Sequence, residues 1–244
     1  MSKPDHKGTV CVTGAAGGIG EVLVRRLLDE GYAVSAWDLL PGPLAKLSNA
    51  RFVFHALDTR DAPAMQNAVA DAQSRFGALH GLVSLAAIYK TQPFLEIDEE
   101  TWDEHFSINL KGSMLAAQAV LPPLRAQKSG SIVLFSSLMA RTGLQGSAAY
   151  AATKGGILGL ARSMALDVAA DNVRVNTVSP TLADTAMPRG NLSDAQMRER
   201  ADTMPMKRLG MPTDMAEAAI FLLDPENSYM TGADIRVNGG ATLF

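Results

Sequence analysis

The stretch VCVTGAAGGIGEVLVRRLLDEG, residues 10–31, joins an apolar run, a glycine-rich turn and an amphipathic helical segment. Gly14, Gly18 and Gly20 allow the backbone to turn tightly, to approach a ligand and to pack the helix against the strand. The first turn of the helix offers free N–H groups and partial positive charge to a phosphate. A purely structural turn is the competing interpretation. Because a strand precedes the turn and a helix follows it, we predict the pyrophosphate site of a dinucleotide.

An acidic residue follows this unit at the distance expected for ribose recognition. Asp38 lies 18 residues beyond Gly20, at the end of the next predicted strand, where a carboxylate can accept hydrogen bonds from the adenosine ribose hydroxyls. A 2′-phosphate would be repelled there, and the next residues, Leu39 and Leu40, are not basic. We therefore predict NAD rather than NADP as the cofactor. For Asp38 alone, a solvated acid at a strand end is the alternative.

Short apolar runs alternate with longer segments of helical period up to about residue 180, a pattern typical of repeated βαβ units around a parallel sheet. Strands are predicted at 8–13, 32–37, 51–57, 79–86, 130–136, 172–178 and 233–237. The predicted fold class is α/β, a single-domain Rossmann fold with a doubly wound parallel sheet of about seven strands flanked by helices. No repeat or linker divides the sequence, so we predict one dinucleotide-binding catalytic domain over 1–244.

Composition and charge argue against several classes of protein. The net charge is −3, and Lys and Arg are scattered, which indicates neither a nucleic-acid nor a membrane partner and favours a small-molecule substrate. The single cysteine, Cys11, fits a reducing compartment. The start of the chain lacks an apolar signal segment, so we expect a cytoplasmic protein. The four histidines show no metal-ligand spacing, so no metal site is predicted.

The stretch YAATK, residues 150–154, places a phenol and an amine on one face of a predicted helix, roughly 5–6 Å apart at Cβ. An exposed helix pair without a role is the alternative. An unperturbed tyrosine has a pKa of about 10, so it would need to fall by roughly three units to release a proton near pH 7. One ammonium at about 4 Å in a partly shielded site supplies about 4 kcal/mol, which is sufficient. We therefore expect Lys154 to lower the pKa of Tyr150.

With TGAAGGIG at 13–20, a serine pair at 136–137 and the Tyr150–Lys154 pair, the chain resembles the short, single-domain branch of the short-chain dehydrogenase/reductase family. The segments NLKG at 109–112, VRVNTVSP at 173–180 and YMTGADIRVNGG at 229–240 extend the resemblance over nearly the whole chain. Where the family commonly reads NNAG, this chain has SLAA at 84–87, so two asparagines that would bridge the sheet are missing.

The resemblance implies four catalytic residues. Tyr150 would be the acid/base, Lys154 its electrostatic partner and Ser137 the hydroxyl that polarises the carbonyl. Asn109 would hold a helix kink and a water that links the lysine to solvent. Ser136 would point elsewhere.

The resemblance also implies a set of contacts with the cofactor and the substrate. The cofactor-binding residues would be Gly14, Gly18, Ile19, Gly20, Asp38, Asp58, Ala86, Tyr150, Lys154, Pro180, Leu182 and Thr185. Asp58, ending the third strand, would meet the adenine, and the segment after Pro180 the carboxamide. Residues that relatives use to line the substrate pocket correspond to Tyr89, Lys90, Arg141, Gln145, Met187, Arg189 and Met204, for which surface placement is the alternative.

These implications define an NAD-dependent short-chain alcohol dehydrogenase or carbonyl reductase. It would transfer a hydride between nicotinamide and a secondary alcohol or ketone of a small or medium substrate such as a polyol, sugar or hydroxy acid. A 3-oxoacyl-thioester reductase and a non-catalytic cofactor-sensing protein are the alternatives. The region 181–211 would be a substrate loop or merely a long connection. By resemblance, a homotetramer or homodimer would form through helices at 98–125 and 148–168.

Overall fold

Seven parallel strands form one sheet in the order β3-β2-β1-β4-β5-β6-β7. The structure, a computed structural model, describes residues 6–190 and 192–242. The strands are β1 (Thr9–Thr13), β2 (Ala33–Asp38), β3 (Phe52–Ala56), β4 (Leu79–Ser84), β5 (Gly130–Phe135), β6 (Val173–Pro180) and β7 (Asp234–Val237). The predicted α/β fold with a seven-stranded, doubly wound parallel sheet is confirmed.

Helices cover both faces of the sheet. They are α1 (Gly18–Asp29), α2 (Ala62–Phe76), α3 (Glu99–His105), α4 (Gly112–Ala126), α5 (Met139–Thr142), α6 (Ala148–Val168), α7 (Ala186–Arg189), α8 (Asp194–Thr203) and α9 (Pro212–Leu223). A π-helical segment, Phe106–Lys111, joins α3 to α4. Helices α1 and α9 pack together on one face, and α2, α4 and α6 contribute to the core on the other. None of the described helices has the length and apolarity needed to span a membrane.

The central strand β1 shows why the sequence reads as a continuous apolar run. All of its residues are buried, as expected for a parallel strand covered on both faces. Because side chains alternate along a strand, Val10 and Val12 enter the core with α1 and α9. Cys11 enters the opposite core, with Met65 of α2 and Val120 of α4.

The strand order reverses between β1 and β4, and ligands of doubly wound sheets bind at such a switch point, beyond the carboxyl ends of the strands. The glycine-rich turn follows β1, Asp38 ends β2 and Ala86 follows β4. Ser137 follows β5 and Pro180 ends β6. The topology thus collects at one edge residues that are far apart in the sequence.

The region 181–211 contains α7, α8 and a parallel bridge between Ala183 and Gly210, which joins its two ends. Helix α8 begins with a capping box in which Ser193 and Gln196 each accept a hydrogen bond from the other's backbone N–H. The segment is therefore a folded connection between the end of β6 and the start of α9.

Candidate active site

The glycine-rich turn has the geometry of a phosphate cradle. Gly14 has φ +63°, and a Cβ there would lie 2.7 Å from the backbone nitrogen of Ala86. A Cβ at Gly20 would lie 2.2 Å from the carbonyl oxygen of Gly14, so α1 packs directly on the turn. The N-cap of α1 is Gly17, so no side-chain oxygen occupies the N–H groups of the first turn. The residues present therefore fit the pyrophosphate of a dinucleotide.

The segment after β6 lies against this turn. A Cβ at Gly18 would lie 3.0 Å from the Cβ and Cγ2 atoms of Thr185. The structure thus brings together Gly18 and Thr185, two predicted cofactor-binding residues that are far apart in the sequence. Leu182 is oriented by a different contact, since its carbonyl accepts a hydrogen bond from the Gly210 N–H at 3.1 Å. The Pro180 carbonyl accepts one from Leu138 at 2.8 Å.

Asp38 lies beside the turn, at the end of β2 as predicted. Its Oδ2 accepts a hydrogen bond from the Ala16 N–H at 2.9 Å, and its Oδ1 accepts one from Leu39 at 2.8 Å. The following side chains, Leu39 and Leu40, are 63% and 73% exposed. The carboxylate is therefore fixed next to the cradle, with apolar rather than basic neighbours in the chain.

The placement of Asp58 at the end of the third strand is wrong, because β3 ends at Ala56. The Asp58 carboxylate instead forms an ion pair with Arg60 at 2.5 Å and accepts the Arg60 backbone N–H at 2.8 Å. The Arg60 side chain holds the pKa of Asp58 below its usual value. Contact with an adenine stays a prediction.

Hydroxyl groups bridge β1, β4 and α4 at the SLAA segment. Thr13 Oγ1 accepts hydrogen bonds from the Leu85 and Ala86 N–H groups, both at 3.1 Å. The Ser84 hydroxyl donates to Ser113 Oγ at 3.1 Å. Ser113 in turn donates to the Asn109 carbonyl at 2.7 Å. Buried polar connections therefore exist here without the two asparagines expected from the family pattern.

Ser137, Tyr150 and Lys154 converge at the same edge of the sheet. Ser137 and Lys154 are 8% and 3% exposed, whereas Tyr150 is half-buried. The Ser137 hydroxyl lies near enough to the Tyr150 phenol to act on its pKa, and its Oγ accepts a hydrogen bond from the Met139 N–H at 3.2 Å. The Lys154 Nζ lies 5.5 Å from the centre of the Tyr150 ring and donates a hydrogen bond to the Phe135 carbonyl at 2.8 Å. The two side chains of YAATK thus enter one site, as their helical spacing predicts.

The electrostatic expectation for this pair is wrong in this structure. Burial raises the pKa of Tyr150 to about 12, although the hydrogen bond from Ser137 acts in the opposite direction. Burial also lowers the pKa of Lys154 to about 7. The cause is desolvation, which disfavours the charged form of both groups. The expected lowering of the Tyr150 pKa by Lys154 is therefore not found.

Asn109 is fully buried in the π-helical segment, which is the helix irregularity expected at this position. Its Oδ1 accepts the Ile88 N–H at 2.8 Å, and its Nδ2 donates to the Ile88 carbonyl at 3.0 Å. The same Nδ2 reaches Thr153 Oγ1 at 3.2 Å, on the helix that carries Tyr150 and Lys154. Asn109 thus ties the segment after β4 to α6, and its role in proton exchange stays a prediction.

Ser136 points away from the phenol, as expected. Its hydroxyl donates to the Lys154 carbonyl at 2.8 Å. This bond joins the end of β5 to the middle of α6. It therefore helps to set the position of Lys154 relative to Ser137.

Of the residues predicted to line a substrate pocket, Tyr89 reaches the phenol. Its ring centre lies 4.9 Å from that of Tyr150, and its hydroxyl is hydrogen-bonded to Ser147 at 2.8 Å. Three others form ion pairs: Lys90 with Glu104, Arg141 with Asp234, and Arg189 with Asp184 and Asp194. Gln145 and Met187 are exposed, and Met204 is half-buried.

Two contributors to the site were missed by sequence reasoning. Ser147 is 1% exposed and binds Tyr89. His105 is fully buried, donates from Nδ1 to the Thr101 carbonyl at 2.8 Å and accepts the Lys90 N–H at Nε2. No local sequence signal marks either one, because the Tyr89 hydroxyl and the Lys90 N–H that they bind are brought close only by the fold. Among the described residues, no three His, Cys, Asp or Glu side chains cluster as metal ligands would.

The sequence of the chain matches a protein-family model and several curated relatives. A family model described as enoyl-(acyl carrier protein) reductase matches residues 14–242. The chain is 32% identical to the 3-oxoacyl-acyl-carrier-protein reductase FabG of Thermotoga maritima, over 97% of this chain and 99% of the relative. It is 33% identical to the oxidoreductase UcpA of Escherichia coli, over 96% of this chain and 94% of the relative.

A solved structure is also similar. It is a short-chain dehydrogenase/reductase from Brucella melitensis, named a glucose/ribitol dehydrogenase. The identity is 34%, the TM-score is 0.91, and the match covers 99% of this chain and 100% of that one. The chain is therefore an oxidoreductase that belongs to the short-chain dehydrogenase/reductase family, whose members bind a nicotinamide cofactor.

Proposed function

We propose that the chain transfers a hydride between a nicotinamide cofactor and a secondary alcohol or ketone of a small or medium substrate, such as a polyol, sugar or hydroxy acid. The observation that carries the proposal is the convergence of Ser137, Tyr150 and Lys154 beside the glycine cradle. A protein that only sensed a cofactor would not require all three groups. The cradle binds the dinucleotide, and the three side chains handle the oxygen of the substrate.

The bound cofactor supplies the hydride donor or acceptor at C4 of its nicotinamide ring. In the oxidation direction, the carbinol C–H electron pair leaves as hydride, the O–H bond breaks, and Tyr150 receives the proton. In the reduction direction, Tyr150 returns a proton to the alkoxide oxygen. Ser137 donates a hydrogen bond to that oxygen while negative charge develops.

The two directions of the reaction need different protonation states of Tyr150. Because this pKa is about 12, the phenol is protonated at pH 7 and is ready to donate in ketone reduction. Oxidation requires phenolate, and an added positive charge close to the ring lowers the pKa of the phenol. A fully protonated Lys154 would provide such a charge. Acceptor oxygens of a cofactor ribose would favour that protonated form.

We further propose NAD(H) as the preferred cofactor. Asp38 is held against the glycine-rich turn by Ala16, where its carboxylate can accept hydrogen bonds from ribose hydroxyls and repels a phosphate. The exposed Leu39 and Leu40 offer no positive charge to a phosphate. Comparing kcat/KM for NADH and NADPH with one ketone tests this preference.

The proposed activity is tested by incubating the purified chain with each reduced cofactor and a panel of ketones, and by following the nicotinamide absorbance. The matching alcohols are tested with the oxidised cofactors. Turnover of sugars, polyols or hydroxy acids, or of the corresponding ketones, supports the proposal. Binding of cofactor without turnover of any member of the panel would favour the cofactor-sensing alternative.

Reduction of a 3-oxoacyl thioester is the second candidate. It is favoured by the named activity of the FabG relatives of Thermotoga maritima and Staphylococcus aureus, which are 32% and 34% identical to this chain. A panel that includes acetoacetyl thioesters separates the two candidates. A kcat/KM for the thioester well above those of all sugars and hydroxy acids would select the reductase.

Two structural expectations extend the proposal. Residues 1–244 act as one catalytic domain, with 181–211 covering the substrate; contact between Thr185 and the glycine-rich turn supports this arrangement.

A homodimer or homotetramer forms through the helices at 98–125 and 148–168. Support comes from Leu166 on α6 and Trp102 on α3, apolar side chains that are 82% and 37% exposed. Light scattering with Leu166→Glu tests the assembly.

A further inference from the structure

The segment that follows β4 is fixed by buried side chains of the α3–π–α4 unit. Asn109 binds both the N–H and the carbonyl of Ile88. Two residues later, the Lys90 N–H donates to His105 Nε2 at 3.2 Å. Because His105 donates from Nδ1 to a carbonyl, its Nε2 is free to accept. Tyr89 therefore stands between two anchored residues.

The far end of the same segment is attached to the loop before α6. The Gln92 N–H donates to the Gly146 carbonyl at 2.9 Å. Gly146 directly precedes Ser147, the partner of the Tyr89 hydroxyl. The backbone on both sides of Tyr89 is thus held relative to the helix that carries Tyr150.

Tyr89 and Tyr150 form an edge-to-face aromatic pair. Their ring centres lie 4.9 Å apart, and the ring planes meet at 68°. This arrangement is the attractive one for two aromatic rings. It places the Tyr89 ring directly against the Tyr150 ring.

The hydrogen bonding of Ser147 independently indicates that the position of Tyr89 has a role. Ser147 is the N-cap residue of α6, where a serine ordinarily accepts a hydrogen bond from an N–H of the first helical turn. Here the side chain makes no such bond, and its buried hydroxyl is paired with the Tyr89 hydroxyl. The helix forgoes a side-chain cap, and the position of Tyr89 is fixed instead.

We propose that Tyr89 is a positioning residue of the active site, which orients and shields the Tyr150 ring while Ser147 holds Tyr89 in place. The inference rests on the proposed function and deepens it. The polar and titratable groups around the Tyr150 phenol are Tyr89 from the segment after β4, Ser137 from the loop after β5 and Lys154 from α6 itself. Burial raises the pKa of Tyr150, which agrees with a shielded phenol.

The kinetic test compares variants at both ends of the Tyr89–Ser147 bond. Tyr89→Leu removes the ring and should lower kcat about threefold to tenfold, the worth of an aromatic pair, with the pH profile moved to lower pH. Tyr89→Phe and Ser147→Ala break the same hydrogen bond. Each should lower kcat by a smaller factor, and the double variant should be no worse than either single one. Tyr229→Leu, at a fully exposed tyrosine, is the matched control and should behave as the wild type.

A readout without turnover separates this inference from the proposed activity. The chain has four tyrosines, so the resonances of 13Cζ-labelled tyrosine can be assigned by substitution. The Tyr150 resonance should titrate at lower pH in Tyr89→Leu than in the wild type, and it should be unchanged in Tyr229→Leu. If Tyr89→Leu unfolds, the positioning role is tested with Tyr89→Phe and Ser147→Ala, whose kcat and Tyr150 titration should both differ from those of the wild type.

The outcomes differ for the two ideas. The positioning role would be overturned if the Tyr89 and Ser147 variants had the same kcat, pH profile and Tyr150 titration as the wild type. The proposed function would then remain intact. A wild type that turns over no substrate would count against the proposed function, and the Tyr150 titration would still decide the role of Tyr89.

Discussion

Replacement of Gly14 by alanine tests the close backbone approach on which the cradle depends. The new Cβ would lie 2.7 Å and 2.9 Å from the N and Cα atoms of Ala86 and 3.0 Å from the carbonyl carbon of Leu85. These are backbone atoms, so no rotamer change relieves the contact. The φ of +63° adds a cost of about 1–2 kcal/mol for a residue with a Cβ. Relief requires separation of the chain segments after β1 and β4, at the switch point of the sheet.

Together, strain and overlap should destabilise the fold by about 2–4 kcal/mol, within the range typical of overpacking combined with backbone strain. For a chain of this size, that corresponds to a fall in Tm of roughly 5–15 °C. NADH affinity should fall by at least about tenfold, because the N–H groups that face the phosphate move with the turn. Thermal unfolding followed by circular dichroism and NADH fluorescence titration measure the two effects.

Gly159→Ala is the matched control. Gly159 lies inside α6, and a Cβ there would meet no atom within 4 Å. Alanine should therefore stabilise the helix by about 0.5–1 kcal/mol, and NADH affinity should not change. A Gly14→Ala variant with the Tm and NADH affinity of the wild type would refute the account of the cradle.

Three further outcomes are expected. Tyr150→Phe should lower kcat by at least about 10²-fold with NADH affinity nearly unchanged, because only the proton-transferring hydroxyl is lost; a variant that retains its activity would contradict the acid/base role. Asp38→Ala should lower the ratio of kcat/KM for NADH to kcat/KM for NADPH. An unchanged ratio would contradict recognition of the ribose hydroxyls by Asp38. The pKa of Lys154, about 7 in the fold, lies below its unfolded value, so between about pH 7 and 9 the unfolded chain binds the extra proton. The unfolding free energy should therefore rise with pH by about 1.4 kcal/mol per unit in that window, and urea titrations of Lys154→Met should show this slope reduced.

The SLAA segment illustrates how a departure from a family pattern is interpreted differently in three dimensions. From the sequence, the loss of two asparagines removes a bridge across the sheet. In the structure, Thr13, Ser84 and Ser113 form hydrogen bonds between β1, β4 and α4. These hydroxyls are far apart in the chain, so their connection cannot be inferred from spacing. It follows from the order of the strands together with the packing of α4 on β4.

The pair in YAATK shows a similar limit. Helical geometry correctly places Tyr150 and Lys154 on one face, because spacing on a helix is a local property. The sign of their pKa shifts depends on burial, which is set by β5, the segment after β4 and α6 together. The sequence-based estimate used a partly shielded ammonium and therefore missed the desolvation that governs both groups.

The sequence by itself determined the alternation of strands and helices, the glycine-rich turn and the acid at the end of β2, since each is encoded within one or two neighbouring elements. Only the tertiary structure decided that Thr185 lies on Gly18, that Asn109 and His105 anchor the segment after β4, and that Tyr89 packs on Tyr150. The physical reason is range. Backbone periodicity and turn chemistry act over a few residues, whereas burial and contacts between distant segments exist only after the sheet has assembled.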